Sequence, residues 1–441
     1  MTTVETDFRP RRVVAVDLAH ETIDYPDPAF RPGHPDARVL VCWLGDPIGL
    51  VDVGAPDSEI VRAAGEEAWR ALHAELSEAA TRRGLPAPRV LADLQVDEHL
   101  RSAPPPPPVT GPLVTVTVAS FHNVAPTVDC VRRILLGSWS PVEVVVVDND
   151  VDPAPLATAL QAAFGEDDRV RWVHEPRQGL SFARNAGLAA AKGGITVFTD
   201  DDVRVHHRWV ERLVAAFDVA DGVACVTGAI LPSELETRPQ LWLEEFGGFH
   251  KGFRREIFNA TTNRRDMALY PYNAGLFGSG ANMAFRTDAI RALGGFAVDL
   301  GAGTAAHGGE DLDIFQRTIS AGFTLVYEPT ALMWHNHRRS YEALRRQMFR
   351  YGIGLSATVT KWMLDDRRTA AAIVHRLPRG AWYLLSPNSK KNRGKSTTFP
   401  PLLTRLELLG VIVGPVAYLR SRRRIRRLSA GPPRSTRVVS P

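Results

Sequence analysis

Three adjacent carboxylates, Asp200, Asp201 and Asp202, follow an apolar run in the segment GGITVFTDDDVRV. The run from 195 to 198 predicts a buried strand, so that strand ends in charges that repel one another. Residues two apart in an extended segment point to the same side, and Asp200 and Asp202 are therefore expected to converge. A divalent cation such as Mg²⁺ or Mn²⁺ between them would replace this repulsion with attraction and would also hold substrate phosphates. A solvated acidic turn, or a cap for the next helix, explains the same residues without a metal.

Two later segments add groups that could take part in chemistry. Glu310 and Asp311 follow two glycines and open a predicted amphipathic helix in AHGGEDLDIFQRTISAG. A helix N-terminus stabilises carboxylates, but a base at the mouth of a pocket, approached closely past glycines, fits equally well. His335 and His337 lie on one side of an extended segment in WHNH. Imidazole beside a carboxylate site suits Mn²⁺, although a lone histidine is more often structural.

The elements that must position these groups begin near Leu113. The segments LVTVTVASF, VEVVVVDND and ITVFTDDD are continuous apolar strands, and helical patterns separate them. This alternation predicts an α/β domain whose parallel sheet is covered on both faces. Ligands of such sheets bind at the carboxyl ends of the strands. Asp148 and the cluster at 200–202 both fall at such ends.

Six segments occur together in one order over more than two hundred residues: VTVASFHN with VVVVDND, RQGLSFARNAGL, VFTDDDV, GSGANMAFRTDAIRALGGF, GEDLDIFQRTISAG and WHNH. From about Leu113 to Arg339 the chain therefore resembles family 2 glycosyltransferases. The resemblance implies the GT-A fold, a Rossmann-like α/β fold with a mostly parallel sheet. It also implies an inverting transferase that uses a nucleoside-diphosphate sugar and Mn²⁺ or Mg²⁺.

The resemblance assigns roles to individual residues. Asp311 matches the catalytic base, Asp148 the acid that reads the nucleobase, and Asp200 the acid that contacts the ribose. The residues that it assigns to nucleotide-sugar binding are Ser120, Asp148, Arg184, Asp200 and Asp201. The metal ligands that it implies are Asp202, which would hold the cation bridging the diphosphate, and His335, whose counterpart ligates the metal in some members.

The donor and the acceptor are less constrained. UDP is the family's commonest donor nucleotide, so a UDP-sugar is expected. Sugars stack on aromatic faces, and Trp242 and Tyr272, in the aromatic segment that follows the acidic motif, are expected with Glu310 at the acceptor. Core positions in an inserted segment explain the two aromatic residues equally well. The expected acceptor is a carbohydrate or lipid-linked hydroxyl of a cell-envelope glycan, a glycolipid or a secondary metabolite.

Composition shifts predict four regions. Residues 1–103 form a small α+β module, and residues 104–111 form a proline-rich linker, for which an SH3-type ligand is the alternative. Residues 112–340 form the catalytic domain, and 341–441 form a helical region with a basic tail. Within that region YEALRRQMFRYG resembles the QxxRW motif of processive members, with Tyr351 in place of tryptophan. This segment is predicted to be a helix that covers the active site.

Charge and apolar patterning predict where the protein acts. A net charge of +4 does not by itself indicate a nucleic-acid partner, and three widely spaced cysteines favour a reducing compartment. Neither a secretory signal nor a clear transmembrane helix is expected. Six arginines from Arg420 to Arg427 follow an apolar stretch that is expected to be too short to span a bilayer comfortably and that glycine and proline interrupt. They predict a cytoplasmic protein in peripheral contact with the inner membrane leaflet, and a packed helix with a solvated basic end is the alternative.

Two other functions compete with sugar transfer. A sugar-nucleotide nucleotidyltransferase would need a glycine-rich, basic triphosphate loop after the first strand, and ASFHNVAP is not such a loop. A non-catalytic, membrane-associated scaffold with the same fold would be expected to lose the base or the acidic motif. Asp202 and Asp311 are both present, which favours the enzyme.

Overall fold

The structure is a computed structural model that describes residues 8–26, 35–95, 109–429 and 437–439. The proline run of the predicted linker at 104–111 lies outside the described residues. The first strand of the large sheet begins at Val109, and the first helix of the C-terminal region begins at Tyr341. All three cysteines are free.

The N-terminal region contains a four-stranded sheet in the order β2-β1-β3-β4. Its elements are β1 (Arg12–Asp17), β2 (Thr22–Asp24), β3 (Asp36–Trp43), β4 (Asp46–Gly54), α1 (Ile60–Ala71) and α2 (His73–Arg82). The side chains of Val13 and Leu40 lie outside this sheet's own core. They pack in an apolar cluster with Phe198 and Phe315 of the region that follows. The N-terminal sheet therefore packs on the region that follows it through shared apolar burial.

The second region is built on a ten-stranded sheet. Its strands are β5 (Val109–Ser120), β6 (Trp139–Asp148), β7 (Val170–His174), β8 (Ile195–Asp200), β9 (Val203–Val205), β10 (Val223–Pro232), β11 (Glu256–Phe258), β12 (Met283–Arg286), β13 (Thr324–His335) and β14 (Arg437–Val439). Its helices are α3 (Val124–Leu135), α4 (Ala154–Phe164), α5 (Leu180–Ala190), α6 (Trp209–Ala215), α7 (Arg238–Phe246), α8 (Thr287–Ala292) and α9 (Glu310–Ser320).

The strand order is β11-β13-β10-β12-β8-β5-β6-β7-β14, and β9 pairs with β13. The strands of five or more residues pair in parallel, as β8-β5-β6-β7 and as β10-β13. The strands of three or four residues add in the antiparallel direction. The predicted α/β class with a large, mostly parallel sheet is confirmed. The carboxyl ends of the long strands thus meet at one edge, as ligand sites of open α/β sheets require.

Three long helices form the C-terminal region: α10 (Tyr341–Asp365), α11 (Arg367–Leu385) and α12 (Pro401–Ser429). Helices α10 and α12 pack with their backbones almost in contact. A Cβ on Gly352 would overlap the backbone of Glu407, and one on Gly410 would overlap the backbone of Phe349. Glycine permits this approach because it has no side chain.

The expectation that no helix is long and apolar enough to cross a membrane was wrong for α12. The helix continues through Gly410, Gly414 and Pro415, and by length and composition alone it could span a bilayer. Gly414 packs against Ser356 of α10, so its missing side chain serves helix contact rather than breaking the helix. About a third of the most apolar stretch of α12 is buried inside the protein.

Candidate active site

The strand register brings the predicted nucleotide-binding residues side by side. Ser120 pairs with Asp148 across β5 and β6, and the neighbouring Ala119 pairs with Asp200 across β5 and β8. Asp148 is 1% exposed; its Oδ1 accepts a hydrogen bond from the Asp150 backbone N–H at 2.9 Å, whereas its Oδ2 has no partner. Burial raises the pKa of the Asp148 carboxyl. This free, buried acceptor is suited to a hydrogen-bond donor on a ligand.

The three adjacent aspartates point in different directions. Asp200 Oδ1 accepts from Arg184 Nη2 at 3.0 Å. Asp201 instead turns back to the loop after β5, where its Oδ1 accepts from Asn123 Nδ2 at 2.9 Å. Burial raises the pKa of Asp201 to about 7, and the charges of its two aspartate neighbours add to the shift. Asp202 points away from this loop toward His335, with 3.7 Å between its Oδ1 and the imidazole Nε2.

Arg184 links the acidic motif to the first turn of α9. Its guanidinium is 2% exposed and donates to Asp200, to Glu310 Oε1 at 2.8 Å and to the Gly280 carbonyl at 2.9 Å. A Cβ on Gly280 would lie 2.9 Å from Arg184 Nη1 and 3.0 Å from the Asp311 Cβ. Glycine is therefore needed at position 280, because the side chains of Arg184 and Asp311 close over it.

Glu310 and Asp311 occupy the first turn of α9 but face different surroundings. Glu310 turns inward to Arg184, and its second oxygen, Oε2, has no hydrogen-bond partner. Asp311 accepts from the Gly280 N–H at 3.0 Å through Oδ2 and from the Leu312 N–H at 2.8 Å through Oδ1. Backbone donors thus hold the Asp311 carboxylate in one orientation, which suits a general base.

The inward orientation of Glu310 makes stability depend on pH. Burial raises its pKa to about 7, the charge of Asp311 adds to this, and the charge of Arg184 opposes it. Between about pH 4.5 and 7 the folded protein therefore binds more protons here than the unfolded chain, and stability falls as pH rises. We expect the free energy of unfolding to fall less with rising pH in Glu310→Gln than in the wild type, by on the order of 2 kcal/mol. Urea unfolding of the wild type and the variant at pH 5 and pH 7.5 measures this difference. The same pH dependence of stability in the two proteins would contradict the prediction. Glu245→Gln serves as the control.

Pairing of β9 with β13 sets His335 opposite Val203, directly after Asp202. Within the described residues no group of three or more His, Cys, Asp or Glu side chains forms a metal cage. Asp202 and His335 are, however, a carboxylate and an imidazole at one strand edge. Mg²⁺ and Mn²⁺ bound with nucleotides often take one or two protein ligands and complete their shells with phosphate oxygens and water. The residues present therefore fit a cation shared with a diphosphate.

His337 lies behind His335 rather than at the open site. Its Nε2 contacts Glu244 Oε1 at 2.9 Å, and its side chain is completely buried. Burial alone would raise the pKa of Glu244, but the hydrogen bond with His337 and nearby positive charges hold it below its ordinary value. Burial lowers the pKa of His335. Sequence reasoning missed Glu244, since it lies on α7 and nothing in its local pattern marks it.

Helix α10 packs against the start of α9, and its predicted role as a cover of the active site stays a prediction. Thr358 donates to the Gly309 carbonyl at 3.2 Å, directly before Glu310. Gln347 donates to Tyr351 Oη at 2.6 Å. Burial raises the pKa of Tyr351 to about 12, the hydrogen bond with Gln347 opposes this, and the charge of Asp311 adds to it.

The predicted acceptor residues are dispersed. Trp242 packs edge-on against Tyr341 at 5.6 Å, in a cluster between α7 and α10. Tyr272 lies 5.9 Å from the Trp362 ring. Their assignment to the acceptor, like that of Glu310, stays a prediction. Lys251 was not anticipated, yet it is near enough to Asp311 for that charge to oppose the lowering of its pKa by burial.

The family model described as "Glycosyltransferase like family 2" matches residues 111–354, which is more than half of the chain. The chain belongs to this family. The match begins in β5 and ends in α10, so it covers every candidate site residue predicted from the sequence. The resemblance found in the sequence motifs is thereby confirmed.

Several named proteins are similar to this chain. The pre-mycofactocin glycosyltransferase of Mycobacterium tuberculosis is 29% identical over 288 residues, 64% of this chain and 55% of that protein. Succinoglycan biosynthesis protein ExoM of Rhizobium meliloti is 29% identical over 48% of this chain and 63% of its own length. The chain thus spans little more than half the length of these relatives. The mannosyltransferase PcManGT from Pyrobaculum calidifontis, solved with GDP-Man and Mn²⁺, aligns with TM-score 0.41 and 18% identity over 84% of this chain and 88% of its own.

Proposed function

We propose that this protein transfers a sugar from a nucleoside-diphosphate sugar to an acceptor hydroxyl, with inversion at the anomeric carbon. The observation that carries the proposal is the placement of Asp148, Arg184, Asp200, Asp202 and Asp311 at one edge of the sheet in a family 2 chain. Asp148 Oδ2 would accept from the base, and Asp200 would contact the ribose. A UDP-sugar is the donor that we favour.

The reaction would proceed in a single displacement. Asp311 accepts the proton of the acceptor hydroxyl while that oxygen forms a bond to the anomeric carbon. The bond from this carbon to the phosphate oxygen breaks, and the nucleoside diphosphate leaves with the electron pair from the opposite face. Asp202 and His335 would hold a divalent cation, which supplies Lewis-acid stabilisation of the negative charge on the leaving diphosphate. Arg184 keeps Asp200 and Glu310 in place and thereby fixes the floor of the site.

A donor screen tests this proposal directly. Nucleoside-diphosphate sugars that carry uracil, guanine or another base are added with Mn²⁺. Thermal stabilisation of the protein and hydrolysis of the donor are measured. We expect one base to stabilise the protein in a metal-dependent way and its sugar to be released slowly to water. Binding without any hydrolysis or transfer would favour a non-catalytic scaffold. Formation of a sugar nucleotide from a nucleoside triphosphate would favour a nucleotidyltransferase.

We also propose that the α12 face turned away from the protein rests on an anionic membrane surface. Leu409, Ile412, Val416 and Leu419 follow helical spacing and are each more than 40% exposed. The arginines that follow this apolar face would meet lipid phosphates. A spanning orientation would require α12 to leave the glycine contacts with α10. Surface contact keeps them, and a lipid-linked acceptor would be reached there.

Substitutions on this face should reduce vesicle binding without unfolding the protein. We expect R423Q/R426Q/R427Q to lower partitioning onto phosphatidylglycerol vesicles by roughly a hundredfold, since each arginine contributes about 1 kcal/mol. I412D should weaken it further, because Ile412 is 74% exposed and an aspartate there would place a negative charge in the apolar face. Co-sedimentation measures both, with R62Q/R70Q/R82Q as an equal charge change on α1 and α2. Unchanged binding by both tail variants would favour a helix that is merely packed.

A further inference from the structure

A row of three hydrogen-bonded side chains runs from α7 to the predicted metal site. Glu244 Oε1 contacts His337 Nε2 at 2.9 Å, and His337 Nδ1 contacts His335 Nδ1 at 3.1 Å. The far nitrogen of His335, Nε2, faces Asp202 Oδ1 at 3.7 Å. His335 is the most exposed of the three side chains, at 14%, against 7% for Glu244 and 0% for His337.

The Glu244 carboxylate at the end of this row constrains which ring nitrogens of His337 and His335 carry a hydrogen. An ionised carboxylate only accepts hydrogen bonds, so His337 Nε2 carries the hydrogen that points to Glu244. When His337 is neutral, its Nδ1 has a lone pair, and the 3.1 Å contact between the two Nδ1 atoms then requires His335 to donate. His335 Nε2 is consequently left with a lone pair directed at Asp202.

The gap between His335 and Asp202 agrees with this arrangement. If His335 Nε2 carried a hydrogen, it would be expected to approach the carboxylate to about 2.7–3.2 Å. The observed 3.7 Å is longer than a hydrogen bond. A lone pair facing a carboxylate oxygen is an arrangement that a shared cation stabilises. Metal-ligating histidines commonly have their other nitrogen oriented in this way by a hydrogen-bonded partner.

We propose that Glu244 is a positioning residue, which acts through His337 to hold His335 with its Nε2 unprotonated and free to bind the donor's cation. The inference rests on the proposed metal-assisted transfer. It also assigns His337 to the relay rather than to the metal, because both of its ring nitrogens are already bonded.

The surroundings keep the relay rigid without a ligand. Gln240, one turn before Glu244 on α7, donates to the His337 backbone carbonyl at 3.3 Å. The Phe249 ring lies edge-on to both imidazoles, at 5.3 and 5.6 Å. Gly248 has a φ of +48°, and a Cβ there would lie 2.9 Å from Glu244 Oε1. A glycine at the end of α7 thus leaves room for the carboxylate.

The first test measures Mn²⁺ affinity by electron paramagnetic resonance, with Mn²⁺ alone as the probe. Loss of an outer partner of a metal ligand typically costs 10- to 100-fold in metal affinity, and we expect that loss for Glu244→Leu. Glu244→Gln should lose less, since an amide oxygen still accepts from His337. The matched control is Glu245→Leu, the next residue of α7, whose carboxylate bonds Ser396 at 2.7 Å instead. Equal affinity in the wild type and Glu244→Leu would overturn the proposal.

The second test separates a relay from a general structural effect. If Glu244 acts through His335, then adding Glu244→Leu to His335→Ala should cost no further Mn²⁺ affinity. The same loss in both backgrounds would overturn the relay. Thermal unfolding checks that each variant folds, and Glu244→Gln replaces Glu244→Leu throughout if the latter does not.

The third test needs neither metal nor substrate. Nitrogen-15 spectra of the histidine rings distinguish the two neutral tautomers in the metal-free protein. We expect His335, identified by its loss in His335→Ala, to carry its hydrogen on Nδ1, and we expect Glu244→Leu to abolish that preference. A hydrogen on Nε2 in the wild type would overturn the proposal. This readout does not depend on activity. An Asp202→Ala variant with normal metal-dependent activity would therefore refute the proposed function, whereas the tautomer of His335 would still decide whether Glu244 positions that ring.

Discussion

Asp311→Asn is expected to transfer sugar at least about a hundredfold more slowly than the wild type while binding donor and cation with near-normal affinity. Asparagine keeps the shape of the side chain but cannot take a proton from the acceptor hydroxyl. Its amide oxygen can still accept from one of the two backbone N–H groups, of Gly280 and Leu312, that now hold the carboxylate. The loss should therefore fall on the chemical step rather than on folding.

Donor affinity by calorimetry and donor turnover, by transfer or hydrolysis, are measured on the same preparation. Asp288→Asn is a matched control, because Asp288 also lies in the first turn of a helix and accepts the next backbone N–H, at 2.8 Å, but is exposed and remote from the acidic motif. Glu310→Gln should have a milder effect on turnover, since its carboxylate faces Arg184. Lost binding with intact turnover per bound donor would make Asp311 a donor ligand. Near-normal turnover would remove it as the base.

Asp202→Ala is expected to abolish metal-dependent nucleotide binding and to slow transfer by on the order of a hundredfold or more, since the cation's Lewis-acid role is worth several kcal/mol. In the wild type, a chelator should stop donor hydrolysis and Mn²⁺ or Mg²⁺ should restore it. The substitution removes one of three neighbouring negative charges, and the Asp202 charge helps to raise the pKa of Asp201. Folding stability should therefore be preserved.

Titration of Mn²⁺ in the presence and absence of UDP compares Asp202→Ala with the wild type. Asp218→Ala is the control, because the Asp218 side chain is 84% exposed and lies outside the site. Full activity of Asp202→Ala, or activity of the wild type in excess chelator, would contradict the metal assignment. Equal loss in Asp218→Ala would indicate an effect of surface charge.

The fold class and the edge of the sheet that carries the site could be predicted from the sequence. Apolar strands alternate with helical patterns, and this periodicity is a local property that each segment displays by itself. Acids that end two such strands, Asp148 and Asp200, must lie at the same edge when the strands are parallel. The six motifs added the family, which the family match then confirmed.

The direction of individual side chains could not be predicted. Adjacent acids look equivalent in a sequence, yet Asp201 bonds Asn123 and Glu310 bonds Arg184, 126 positions away. Those partners are set by strand order and loop closure, which depend on long-range packing. The same holds for α12. In the sequence, Gly410 and Gly414 interrupt an apolar segment, but in the structure they are the positions at which α12 packs closely on α10.

The sequence by itself determined the type of domain, its family and the strand ends that carry the acids, because these follow from short-range patterns of apolar and charged residues. Tertiary structure alone decided that Glu244 meets His337 across 93 positions, and that His335 and Asp202 face each other without a hydrogen bond. A hydrogen-bond partner is chosen by distance and angle in space, within a few tenths of an ångström. No pattern along the chain encodes such a distance until the strands and helices have packed.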